Sequence, residues 1–237
     1  MFQLPPTNMD HKIKVILFDI DGTLISTGGA GKRAFGQACA EVYDIGQASE
    51  SIKLAGRTDL GIAKELLEAY QLQPDTKTIK QTFEGYLRHL TNNLQDGKTR
   101  ILSGVTELIA GLQALPDPPV IALLTGNLAR GAEIKLRHVN LWQHFAWGIY
   151  GDTHDERNAL AHDALAMARE KMAPNIEPSE LLIIGDTVRD IDCARAVGAR
   201  VLAVATGDAE KEELAQQEPD LLVDNLTQVT AEEVVKI

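Results

Sequence analysis

The chain of 237 residues is long enough for one large domain, or for a core domain with a smaller insert. Its 44% hydrophobic and 24% charged residues are typical of a globular protein in water, and no apolar run approaches the roughly 18 residues that span a membrane. A net charge of −11, with no lysine- or arginine-rich run, argues against nucleic acid or an anionic membrane surface as the main partner.

Six apolar runs have the length and composition of buried strands. They are residues 13–18, 119–124, 145–150, 181–185, 200–205 and 220–223. From the second run onward, segments with helical spacing separate them, for example 128–140 and 157–172. Strands that alternate with helices pair in parallel through right-handed crossovers, and such strands are buried on both faces. The sequence therefore predicts an α/β fold, a Rossmann-like parallel sheet flanked by helices.

The segment between the first two runs breaks this alternation. It contains no convincing strand, and its helical patterns lie around 30–43, 58–70 and 78–94. The pairs Thr58-Asp59 and Asp75-Thr76, each at the start of a pattern, offer suitable N-caps. We therefore expect a helical domain of residues 27–96, inserted into an α/β core made of residues 1–26 and 97–237.

The first run continues as VILFDIDGTL (residues 15–24) and ends in two carboxylates, Asp19 and Asp21. Close negative charges at the end of a buried strand are costly unless a partner offsets them. A hairpin turn at the Asp-Gly pair is disfavoured because a helical pattern follows. A calcium loop is excluded because Leu24 stands where glycine is needed and Ala30 where glutamate is needed. A ligand site at the end of a parallel strand and a solvated turn both remain open.

With two later motifs, this stretch resembles the haloacid dehalogenase-like superfamily of phosphohydrolases. LLTGN ends the next apolar run, and IIGDTVRDIDCARA, with Asp186 and Asp190 four positions apart, ends a later one. The resemblance extends from about residue 13 to residue 224. It implies a phosphatase with a helical cap, similar to phosphoglycolate phosphatases or to β-phosphoglucomutase.

The resemblance also implies roles for the acidic residues. Asp19 would be the nucleophile that forms an aspartyl-phosphate, and Asp21 would be the general acid and base. Gly22 would let the backbone approach the phosphoryl group. Mg²⁺ would be held by Asp19, Asp186 and the backbone carbonyl of Asp21, because Mg²⁺ favours a few protein oxygens. Asp190 would support this shell or ligate through water, although a role at the start of a helix is also open.

The second motif and one basic residue would bind the phosphoryl group. Thr125 would donate a hydrogen bond to a phosphoryl oxygen, with Gly126 and Asn127 beside it. The Gly-Lys-Pro string of many family members is absent, and Arg157, at the start of a predicted helix, takes that place. A solvated Arg157 is the alternative. Lys135 is the fallback, although its helical segment favours a surface position for it.

Arg57 is the candidate that would read the substrate from the predicted cap. It lies in AGRTDLG (residues 55–61), a polar stretch before a helix that could face the active site. A plain helix start, capped by Thr58 or Asp59, explains the stretch nearly as well.

These observations predict a Mg²⁺-dependent phosphatase that acts on a small phosphorylated metabolite. Cys39 and Cys193 cannot form a disulfide framework and the N-terminal residues lack a signal-peptide pattern, so we expect a cytoplasmic protein, monomeric or homodimeric. The alternatives are a sugar-phosphate mutase of the β-phosphoglucomutase kind and a non-catalytic member that binds a phosphorylated ligand.

Overall fold

The computed structural model describes residues 12–45 and 55–237. The strands are β1 (Val15–Phe18), β2 (Ile25–Ser26), β3 (Arg100–Ile101), β4 (Val120–Leu124), β5 (Gly148–Ile149), β6 (Leu181–Gly185), β7 (Arg200–Val204) and β8 (Leu221–Val223). The helices are α1 (Ala30–Tyr43), α2 (Asp59–Ala69), α3 (Thr76–Asn93), α4 (Val105–Ala114), α5 (Ala129–His138), α6 (Arg157–Lys171), α7 (Val188–Val197), α8 (Lys211–Ala215) and α9 (Ala231–Val234).

A six-stranded parallel sheet in the order β5-β4-β1-β6-β7-β8 forms the core. Both of its faces are buried, as strand β1 shows. Ile16 and Phe18 pack into a cluster with α4, α5 and α9, whereas Val15 and Leu17 pack into a second cluster with α6, α7 and α8. The predicted α/β fold is confirmed, and the unbroken apolar composition of β1 follows from burial on both sides.

Two details of the predicted sheet are wrong. Only residues 148 and 149 of the run 145–150 are in a strand, because β5 lies at the edge of the sheet and pairs only with β4. The antiparallel pair of β2 and β3 was not predicted at all. Strands of two residues are too short to show a period-two pattern, so sequence periodicity gives no indication of them.

Helices α1, α2 and α3 lie between β2 and β3 and form what we call the helical insert. Their side chains share an apolar cluster separate from the two sheet clusters, and Phe35 stacks on Tyr86 at 4.1 Å between ring centroids. Thr58 and Asp75 cap α2 and α3 as predicted, accepting backbone hydrogen bonds from Gly61 and Thr78. None of the described helices is both long and apolar enough to cross a membrane.

Candidate active site

Three predicted site residues directly follow the last residue of a strand. Asp19 follows β1, Thr125 follows β4 and Asp186 follows β6. Strand β1 lies between β4 and β6, and all three run in parallel, so their carboxyl ends reach the same edge of the sheet. The structure therefore brings the three sequence motifs together at the edge where open α/β sheets bind ligands.

The centre of the site is a buried group of carboxylates. One oxygen each of Asp19, Asp186 and Asp190 lies within 4.8 Å of the other two. Burial, against the opposing effect of Arg157 and with a contribution from neighbouring carboxylates, raises the pKa of Asp19 to about 6, and burial and the neighbouring carboxylates raise the pKa of Asp186 well above its usual value. Thr23 orients Asp186 by donating from Oγ1 to Oδ1 at 3.0 Å. Ionising all three carboxylates together therefore costs free energy unless a cation lies beside them.

The donors in this group fit Mg²⁺. All are carboxylate oxygens, and within the described ranges Oδ1 of Asp19 is buried with no hydrogen bond, its one ion-pair partner being the guanidinium of Arg157 at 3.1 Å. Gly22 and Gly207 both approach Asp186 so closely that a Cβ at either position would overlap its carboxylate. The side chain of Asp21 lies outside the group, consistent with the expectation that only its backbone carbonyl would be a ligand.

Asp190 also has the alternative role that the sequence left open. It is the third residue of α7, and its Oδ2 accepts hydrogen bonds from the backbone nitrogen (3.0 Å) and Oγ1 (2.7 Å) of Thr187. Its Oδ1 lies 2.5 Å from Nη2 of Arg157. Each oxygen therefore already has a protein partner, which favours a supporting role over direct ligation.

Arg157 is buried beside the predicted nucleophile, so the alternative of a solvated side chain is wrong. Its Nη2 lies 3.1 Å from Oδ1 of Asp19 and 3.4 Å from the carbonyl oxygen of Leu124. Burial alone would lower the pKa of Arg157, but Asp19 and Asp190 raise it above its usual value, and the guanidinium stays charged. Its position at the start of α6 is as predicted.

Lys135 lies in the site, so the surface position favoured by its helical segment is wrong. Its side chain is 4% exposed, and Nζ lies 2.5 Å from Oδ2 of Asp21 and 2.6 Å from Oδ1 of Asn127. Helical spacing could have indicated this position. Lys135 follows Leu128 by seven residues and Gly131 by four, and both of these are buried.

Asn127 is turned toward protein groups and does not present its amide to a substrate. Its Nδ2 donates to Oδ2 of Asp21 at 2.9 Å and to Oγ1 of Thr125 at 2.8 Å. Its backbone nitrogen also approaches Oγ1 of Thr125 at 3.3 Å. Thr125 and Asn127 thus belong to a polar network that ends on Asp21, in which Oγ1 of Thr125 accepts and its hydroxyl can still donate to a phosphoryl oxygen.

The helical insert closes over the same edge of the sheet through its residues 57–59. Asp59 donates its backbone N–H to the carbonyl oxygen of Gly126 at 2.7 Å, and its Oδ2 accepts from the backbone nitrogen of Leu128 at 2.9 Å. A Cβ at Gly126 would overlap the carbonyl oxygen of Arg57. Burial raises the pKa of Asp59 to about 7, against the opposing effect of Lys135. The sequence offers Asp59 as a helix cap or as part of a polar stretch facing the site, and gives no sign of its bond to Leu128.

The segment around Arg57 starts a helix and also faces a cavity beside the site. Thr58 caps α2, yet the side chain of Arg57 lines a polar cavity of about 270 Å³ between the insert and the core, together with Arg157 and Arg189. Within the insert, Arg57 forms an ion pair with Glu65. The lining of the cavity has three guanidinium groups and the three carboxylates of Glu65, Asp155 and Glu156, and the cavity adjoins the carboxylate cluster through Arg157.

Comparison with known proteins agrees with this geometry. The sequence model described as haloacid dehalogenase-like hydrolase matches residues 16–204. The chain belongs to this family. Phosphoglycolate phosphatase from Thiobacillus denitrificans is 26% identical over 219 residues, which cover 91% of this chain and 93% of that protein. The bifunctional riboflavin kinase/FMN phosphatase of Arabidopsis thaliana is 24% identical over 189 residues, which cover 80% of this chain and 48% of that protein.

Solved structures show the same fold for this haloacid dehalogenase-like hydrolase. CbbY from Rhodobacter sphaeroides, a mutant in complex with xylulose-(1,5)bisphosphate, superimposes with a TM-score of 0.72 at 19% identity, covering 95% of this chain and all of that chain. These findings confirm the predicted family, the α/β fold and the prediction of a phosphatase. The names of the relatives give different substrates, so the substrate is a separate question.

Proposed function

We propose that this hydrolase cleaves a small phosphomonoester through an aspartyl-phosphate on Asp19, with Mg²⁺ as its cofactor. The observation that carries the proposal is the position of Asp19. It lies at the end of β1 within the carboxylate cluster, and the buried guanidinium of Arg157 contacts both Asp19 and Asp190. A phosphoryl group beside Asp19 would meet groups suited to neutralise it, and phosphoryl transfer depends mainly on positioning and charge neutralisation.

In the first step, a carboxylate oxygen of Asp19 attacks phosphorus while the bond from phosphorus to the ester oxygen breaks. The leaving oxygen takes a proton from Asp21, whose side chain is 41% exposed and open to the substrate side. Arg157 holds the nucleophilic carboxylate and faces the charge that develops on the phosphoryl oxygens.

In the second step, water attacks the phosphorus of the aspartyl-phosphate. Asp21, deprotonated by the first step, takes a proton from this water, and the bond between phosphorus and Asp19 breaks. Inorganic phosphate leaves, and both carboxylates return to their starting states.

Asp19, Asp186 and the backbone carbonyl of Asp21 would hold Mg²⁺, with Asp190 in support. When bound, the ion neutralises the clustered carboxylates and the phosphoryl oxygens. The protein holds these oxygens close together and buried. The backbones of Gly22 and Gly207 contribute by packing closely against Asp186.

Residues 27–96 would act as the cap of this site. Their contacts with Gly126 and Leu128 close the insert over the carboxyl ends of the strands. Arg57 would read the part of the substrate that remains after phosphate is removed, because it lines the cavity beside Arg157. A small phosphorylated metabolite fits a cavity of about 270 Å³, and phosphoglycolate-like compounds are the first to test.

The test is the release of inorganic phosphate from a panel of phosphomonoesters, with Mg²⁺ and with excess chelator. We expect activity with Mg²⁺, loss with chelator and recovery when Mg²⁺ is added back. Asp186→Asn should abolish this response, whereas Asp192→Asn, an exposed carboxylate on α7, should retain it. Full turnover in chelator, with metal content verified as nil, would overturn the cofactor assignment, and no release from any monoester would overturn the activity.

A further inference from the structure

Lys135 and Asn127 form a polar arrangement behind Asp21 that the proposed reaction does not use. Lys135 is almost fully buried, whereas Arg130 and Arg137 of the same helix are exposed. Burying an ammonium group is expensive unless it is paired and hydrogen-bonded. The contacts with Asp21 and Asn127 offset that cost, so the arrangement needs an explanation beyond the packing of α5.

The chemistry of the three groups fixes their orientation. An ammonium group can only donate hydrogen bonds, so the side of the Asn127 amide that faces Lys135 must be its oxygen. The NH₂ of Asn127 is therefore directed to Asp21 and Thr125, both of which accept from it. Without the ammonium, the oxygen of Asn127 would lose its donor, and the amide could rotate by half a turn whenever Asp21 is protonated and can donate to that oxygen.

Both hydrogen bonds that Asp21 receives from described side chains fall on one oxygen. Asn127 donates to Oδ2 at 2.9 Å and Lys135 donates to Oδ2 at 2.5 Å. This leaves Oδ1 as the oxygen that exchanges a proton with the substrate side. Two donors on Oδ2, themselves joined by a hydrogen bond between Lys135 and Asn127, restrict rotation of the carboxylate more than a single contact would.

We infer that Lys135 is a positioning residue for the reaction, one that acts through Asn127 and Asp21 and not on the phosphoryl group. It fixes the amide orientation of Asn127, and the two donors hold the Asp21 carboxylate in place. This inference rests on the proposed role of Asp21 as general acid and base. The competing role is direct binding of the phosphoryl group by Lys135.

A double-mutant cycle separates these two roles. The variants are Lys135→Met, Asp21→Asn and the pair, and the readout is kcat/KM, which covers the steps up to formation of the phosphoenzyme. We use a substrate with a good leaving group, p-nitrophenyl phosphate, and one with a poor leaving group, an alkyl phosphate. Proton transfer matters more for the second, because its leaving oxygen is far more basic.

If Lys135 acts through Asp21, Lys135→Met lowers kcat/KM roughly 10-fold to 100-fold on the alkyl phosphate and less on p-nitrophenyl phosphate. In the Asp21→Asn background the same substitution then changes kcat/KM by less than about 3-fold, because the residue it positions has been disabled. Equal losses on both substrates, or losses that multiply in the double variant, would overturn the inference and assign Lys135 to phosphoryl binding.

Two further variants keep the test independent of folding. Arg137→Met removes a cation from the exposed side of the same helix, and it should leave both substrates unaffected. Lys135→Gln retains a donor for the oxygen of Asn127, so it should lose less activity than Lys135→Met, and it takes the place of Lys135→Met in the cycle if that variant does not fold. Wild-type activity in Asp21→Asn would instead refute the proposed role of Asp21 itself.

Discussion

Removing the guanidinium of Arg157 should strongly destabilise the metal-free protein. Arg157→Met keeps most of the side-chain volume but leaves Asp19 and Asp190 buried without their cation. Removing one partner of a buried ion pair costs roughly 3–5 kcal/mol of unfolding free energy. For a chain of this size, each kcal/mol changes Tm by roughly 2–4 °C, so we expect a Tm lower by about 6–20 °C.

The assay is thermal unfolding in excess chelator at pH 8. In the wild type this pH lies above the pKa of about 6 of Asp19, so its carboxylate is ionised and the cation matters. Arg157 lowers this pKa, so the pKa of Asp19 is higher in the variant, and the deficit should shrink as the pH falls toward 6 and Asp19 takes up a proton. Lys171→Met, an exposed cation at the other end of α6, is the matched control and should unfold like the wild type.

Adding Mg²⁺ provides the second half of this test. With one positive charge removed, the carboxylate cluster should bind the ion more tightly, so Mg²⁺ should raise the Tm of Arg157→Met more than that of the wild type. A Tm in chelator within about 2 °C of the wild type would refute the argument, because it would mean that the buried carboxylates do not depend on Arg157 for their charge balance.

Three more predictions concern the contact between the insert and the core. Gly126→Ala should lower activity at least 10-fold, because its Cβ would overlap the carbonyl oxygen of Arg57 and push the insert away from the site; steady-state kinetics and thermal unfolding measure this together. Arg57→Ala should change the ranking of substrates in a phosphomonoester panel while a simple aryl phosphate is affected less, and an unchanged ranking would remove Arg57 from substrate recognition. The pKa of Asp59 is raised to about 7, so its ionisation opposes folding increasingly between about pH 4 and pH 7. Urea unfolding should therefore find Asp59→Asn more stable relative to the wild type at pH 8 than at pH 5, and a pH-independent difference would contradict this.

Much of the fold and the centre of the site could be predicted because the sequence carries them locally. The apolar composition of β1 indicates that both of its faces are buried. Asp19 and Asp186 directly follow strands, where open α/β sheets bind ligands. The start of α2 could also be predicted, since Thr58 accepts a bond from a residue only three positions away.

The contacts that depend on distant parts of the chain could not be predicted. Lys135 reaches Asp21 across 114 positions, and Asp59 reaches Leu128 across 69. Helical spacing can indicate that Lys135 lies on the buried side of α5 but not that a carboxylate lies opposite it, and an acidic residue after an N-cap is ordinary. The contacts of Lys135 and of Asp59 form only when α5 and the helical insert pack on the sheet.

The central claim is that Asp19 carries the phosphoryl group, and rapid-quench trapping of the phosphoenzyme tests it most directly. Asp21→Asn keeps the nucleophile but cannot take a proton from water, so with a good leaving group it should accumulate phosphate on the protein that is acid-stable and sensitive to hydroxylamine. Asp19→Asn should accumulate none. In the wild type, water should discharge the intermediate quickly, whereas a mutase would hold it until a sugar phosphate arrives. Equal labelling of Asp19→Asn and Asp21→Asn would contradict the account.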